Sequence, residues 1–148
     1  MKTAGWFVAI LAVLVAAGCG GGPDPDEQVR VKVVTTENLN FYDGSAHSVD
    51  VYFYKIEDPA AFEAAKQDAL LVEGEAVPGG AALERRAIAP DKSALWNVGK
   101  TGHERYTHIG VLVDFKEPEG VARMVHEWDD ELKLRIDARA ILAFTEND

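Results

Sequence analysis

The 148-residue chain is poor in several things, and each shortage closes off a class of function. It holds one cysteine, Cys19, so no internal disulfide can form and the fold must rest on packing even in an oxidising compartment. Positive charge is scarce: 15 Lys and Arg stand against 25 Asp and Glu, a formal net charge of −10. That balance argues against nucleic acid and against electrostatic adsorption to anionic lipid, both of which require a positive face. No apolar run is long. The longest, from Trp6 to Ala17, falls short of the roughly 20 residues that cross a hydrocarbon core. Catalytic patterns are missing too. His47, His103, His108 and His126 show neither HxH nor HExxH spacing, and there is no G-x-S-x-G and no phosphate-cradling glycine loop. Asp129, Asp130 and Glu131 sit between two strand patterns, where charged turns are ordinary. No catalytic residue, metal ligand or cofactor is expected.

What is present begins at the N-terminus. Lys2 and the apolar run form the n-region and h-region of an export signal, and Val15-Ala16-Ala17-Gly18 lead directly into Cys19. This resembles a bacterial lipobox, although Ala16 stands where Leu is preferred. The resemblance implies cleavage before Cys19 and lipidation of its thiol, with residues 1–18 removed as a lipoprotein signal peptide. The alternative is an ordinary signal peptide cut near Ala17 or Gly18, which would leave a free thiol, a liability in an exported protein. Three acyl chains on Cys19 would hold durably, since two membrane signals already give a stable anchor. Gly20 rather than Asp follows the cysteine, and that resembles an outer-membrane sorting signal.

Residues 19–28 carry Gly20 to Gly22, Pro23 and Pro25 and no apolar side chain after Cys19, the composition of a flexible tether. Nine residues reach about 30 Å when extended. Residues 29–148 are enough for one domain with a real core and too few for two. Val29, Val31 and Val33 alternate with Arg30 and Lys32, predicting a strand. Turn chemistry from Asn38 to Ser48 follows, yet it contains Leu39, Phe41 and Tyr42. Val49 to Ile56 carries bulk on both faces, as in a central strand covered on each side.

Asp58 and Pro59 supply an N-cap and an N1 proline, and Phe62, Ala65, Ala69 and Leu70 fall on one helical stripe, predicting a helix over 59–71. Five more strands are predicted, at 83–89, 94–98, 109–115, 121–128 and 132–140, with 141–144 as a possible extension of the last. Seven short strands with a helix between the second and third imply two packed antiparallel sheets, a mainly β sandwich with one inserted helix.

The order of segments resembles a known family. Leu39-Asn40, Asp43-Gly44 and Val51 to Ile56 running into Phe62-Glu63-Ala64-Ala65 are similar to its "LN…G…V-x-Y-x-L…F-x-x-A" stretch, and His108 to Lys116 is similar to its "IGVVAAFR" strand, with Asp114 in place of a small apolar residue. Leu132 to Leu142 looks like its closing strand. The family is the outer-membrane lipoprotein of the type VI secretion system, of the TssJ, SciN or VasD type. The resemblance implies a transthyretin-like β-sandwich anchored by lipid at the periplasmic face of the outer membrane. Its partner there would be the periplasmic C-terminal domain of the large inner-membrane subunit, of TssM type. The family's contact loop lies between the first two strands, which corresponds here to Asn40, Phe41, Tyr42, Asp43, Gly44 and Ser45.

Two other readings stay open on the residues alone. One is a stand-alone periplasmic lipoprotein that binds a small ligand or glycan. The other is a hydrolase, for which His103 with His108 is the candidate pair.

Overall fold

The structure is a computed structural model that describes residues 28–71, 76–99, 105–117, 122–129 and 131–143. The leader, Cys19, most of the tether and His103 lie outside the described residues. Chain order is β1 (Gln28–Thr35), β2 (Val49–Ile56), α1 (Pro59–Ala64), α2 (Gln67–Leu70), β3 (Ala76–Val77), β4 (Gly80–Ile88), β5 (Ser93–Gly99), β6 (His108–Val113), β7 (Arg123–Glu127), β8 (Glu131–Ile136) and β9 (Ile141–Ala143). The strands form two sheets, β5-β1-β8-β9 and β3-β4-β2-β6-β7.

Period-2 alternation explains why the sheets stack. Val29, Val31 and Val33 of β1, Leu132, Leu134 and Ile136 of β8, Val51 and Phe53 of β2, and Ile109, Val111 and Val113 of β6 all turn inward and are buried in one cluster. Burying each such side chain contributes about 1.5–3 kcal/mol, which is what holds two sheets together without a disulfide. A second, smaller cluster lies on the outer face of the five-stranded sheet. There Tyr54, Ile56 and Leu112 pack against Phe62 of α1 and Leu70 of α2, so β2 is covered on both sides.

Three details depart from the sequence reading. The helix predicted over 59–71 is broken. Asp58 caps it by accepting from the Ala61 N–H at 3.1 Å, but Ala65 and Lys66 are extended, each with ψ 147°. Arg123 of β7 donates through Nη1 to the Phe62 and Ala65 carbonyls, which takes over the end of α1 and lets the chain turn.

The last strand stops at Ile136 and does not run to 140. Asp137 makes a turn, accepting from the Ala138 N–H at 2.7 Å through Oδ1 and donating its own N–H to the Ala140 carbonyl at 2.9 Å. β9 then returns antiparallel to β8. Finally, the sheets are not antiparallel throughout, because β1 pairs parallel with β8, Val31 beside Leu132 and Val33 beside Leu134. A parallel pair needs a long crossover, and nearly the whole domain serves as that crossover.

Candidate docking site

The connection from β1 to β2 is held from below and open above. Leu39 is fully buried and anchors the loop in the core. Its N–H donates to the Thr36 carbonyl at 3.2 Å and its carbonyl accepts from the His47 N–H at 3.0 Å. Next to it Asn40 takes φ 46° and is only 6% exposed. Its Nδ2 donates to the Ser48 carbonyl at 3.3 Å and its Oδ1 accepts from the Lys116 N–H at 2.9 Å. Asn40 therefore faces inward and shapes the loop, in contrast to the contact position that the resemblance gave it.

Above this base stands a two-residue hairpin. Tyr42 and Ser45 exchange backbone hydrogen bonds, each at 3.1 Å, around Asp43 (φ 51°) and Gly44 (φ 79°). Positive φ at both central positions is what an Asp-Gly pair permits. The Tyr42 ring stacks on His47, centroids 3.9 Å apart and 14° from parallel, and His47 Nε2 lies 3.0 Å from Ser45 Oγ. This stacking stiffens the tip. Phe41, by contrast, is 39% exposed, one of three large apolar side chains among the described residues left so open.

Sequence reasoning missed the second wall of this site. The turn between β8 and β9 comes alongside the loop: Arg139 donates through Nη2 to the Phe41 carbonyl at 3.1 Å, and the same nitrogen lies 3.8 Å from Glu117. Thr36 Oγ1 donates to Asp137 at 2.9 Å. Between the two turns lies a groove of about 540 Å³, lined by Asn38, Phe41 and residues 137–140. The misleading signal was the continued alternation of Ile136, Ala138 and Ala140, which reads as strand. The useful one was Asp137, a turn-former whose carboxylate can accept from the backbone that follows it.

A larger cavity of about 940 Å³ lies at the other sheet, beside Lys55, Glu57, Arg105 and Tyr106, with Arg105 and Glu57 of its lining paired at 2.8 Å. Among the described residues no three His, Cys, Asp or Glu side chains converge as a metal site. His108 sits at the start of β6 with Nδ1 2.7 Å from Thr107 Oγ1.

The model of the type VI secretion lipoprotein family, which includes VasD, EvfM and TssJ, matches residues 27–140. The chain belongs to that family. No curated protein matches this type VI secretion lipoprotein in sequence. Solved structures share its fold. TssJ1, a type VI secretion lipoprotein from Pseudomonas aeruginosa, aligns at TM-score 0.66 and 20% identity, over 80% of this chain and 96% of its own. Lip from Serratia marcescens, a membrane-bound component of the type VI secretion system, aligns at TM-score 0.67 and 10% identity, over 82% and 100%. A chain in the structure of the TssM C-terminal domain from EAEC aligns at TM-score 0.65 and 17% identity, over 80% and 98%.

Proposed function

We propose that this lipoprotein is the outer-membrane subunit of a type VI secretion trans-envelope complex. Acyl chains on Cys19 hold it at the periplasmic face, and the loop between β1 and β2 docks the periplasmic C-terminal domain of the TssM-type subunit. The observation that carries the reading is the placement of Phe41 on a stiff, internally bonded loop, at the end of β1 opposite the tether. The seven steps along the eight residues of β1, at about 3.3 Å each, separate the two ends by roughly 23 Å. Partner contact and lipid anchorage therefore do not compete for the same surface. An exposed aromatic beside a groove is the usual form of an interface anchor, and the occurrence of this fold in a structure of the TssM C-terminal domain supports the choice of partner.

Capture of the TssM-type domain by the mature protein is the test. Replacing Phe41 and Tyr42 by Ala should weaken capture by at least tenfold while leaving the melting curve in place; undiminished capture would exclude the loop as the docking surface. Independently, Cys19→Ser should abolish flotation with outer membranes in high salt, where charge contacts are screened and acyl chains alone would hold.

A further inference from the structure

Charge is unevenly spread over this acidic molecule. The alternation that buries the apolar residues of β1 and β8 sends Arg30, Lys32, Lys133 and Arg135 to the outer face of their sheet. The parallel register sets Lys32 directly beside Lys133, Arg30 beside Glu131 and Val34 beside Arg135. Glu131 stands among the four cations, 3.7 Å from Lys133 Nζ. Adjacent like charges repel, so an anion placed over Arg30, Lys32 and Arg135 would be favoured. On the two edge strands Leu95, opposite Lys32, is 64% exposed, and Leu142, opposite Arg135, is 52% exposed. The result is a sheet face with cations along its middle and leucines at both margins. The helices α1 and α2 pack on the other sheet.

We infer that the outer face of the β5-β1-β8-β9 sheet rests on anionic phospholipid headgroups. Phosphates match the central cations, and the marginal leucines match the boundary just beneath them. The tether points to a membrane rather than an acidic protein segment as occupant. It joins the domain at Gln28, the first residue of β1, which is an interior strand of this very sheet. A nine-residue tether thus keeps the basic face within about 30 Å of any bilayer that holds Cys19. The proximity rests on the anchoring proposed above; the charge pattern does not. The domain then lies on its side, with the Phe41 loop directed along the membrane.

Unacylated protein comprising residues 19–148 separates the two ideas, and it retains every residue of both core clusters, which close on residues 29–141. It should float with vesicles of phosphatidylcholine doped with phosphatidylglycerol, less so as salt is raised, and not with phosphatidylcholine alone. The pair Lys32→Gln and Arg135→Gln should weaken this binding by about thirtyfold. The equal charge change Lys66→Gln with Arg85→Gln, away from this face, should leave it unaltered, and both pairs should melt like the parent. Three results would overturn the inference: indifference to phosphatidylglycerol, wild-type binding by the Lys32 and Arg135 pair, or capture of polyglutamate with no vesicle binding. None of these touches Cys19, whose role the flotation of Cys19→Ser in high salt decides separately.

Discussion

At Asn40 the chain takes a left-handed backbone, buries an amide and engages both of its ends, tying the loop to Ser48 on one side and Lys116 on the other. Asn40→Ala loses both hydrogen bonds and keeps an unfavourable φ, so it should cost about 2–3 kcal/mol in denaturant unfolding. Asn40→Gly, which tolerates that φ, should cost less. Phe41→Ala removes nothing from the core and should shift stability by no more than about 0.5 kcal/mol.

Tyr54 is buried with its hydroxyl donating to the Leu70 carbonyl at 2.9 Å. Burial, aided by Tyr52 and Asp114 and opposed by Arg123, holds its phenol well above the usual range. A group raised on folding contributes stability below its unfolded pKa of about 10 and loses it as pH climbs past that value. Stability measured across that window should therefore fall in the parent and fall less in Tyr54→Phe, which should itself cost about 1 kcal/mol at neutral pH.

Among the elements, the helical segment and β6 depend on a missing side chain. A Cβ on Gly110 would stand 2.9 Å from Phe62 Cζ and 3.0 Å from the Ile56 side chain. Gly110→Ala should lower stability by about 1–3 kcal/mol, visible as a lower melting temperature, because the α1 layer must lift. The strands themselves were legible, since alternation in Val29 to Val33, Ile109 to Val113 and Leu132 to Ile136 follows directly from burial on one face. The break between α1 and α2 was not, because it is made by Arg123, far along the chain and on another element. For the same reason Phe41 and Tyr42 could be noticed as aromatics in turn chemistry and assigned to a contact loop through the family resemblance alone, while Arg139 and the groove left no sign: a long-range turn brings them together. The parallel β1–β8 pairing likewise leaves no local trace, because either direction buries the same valines.

For the molecule as a whole, a count of charges misleads where a map does not. A formal net charge of −10 coexists with a sheet face on which, among the described residues of β1 and β8, cations outnumber carboxylates. Because the core closes without the leader or the tether, Cys19→Ser should change where the protein resides without changing how it melts. An unchanged distribution between membrane and soluble fractions in high salt would show that the thiol carries no anchor.

β1 leads from Gln28, where the tether joins, to the proposed docking loop, and it is hydrogen-bonded along both edges, antiparallel to β5 and parallel to β8. Tension between the bilayer and a partner gripping that loop would enter and leave on this one strand, so its covalent backbone would carry the load. The hydrogen bonds to β5 and β8 would be left unloaded, and the sandwich could hold a membrane-spanning machine in place without being pulled apart.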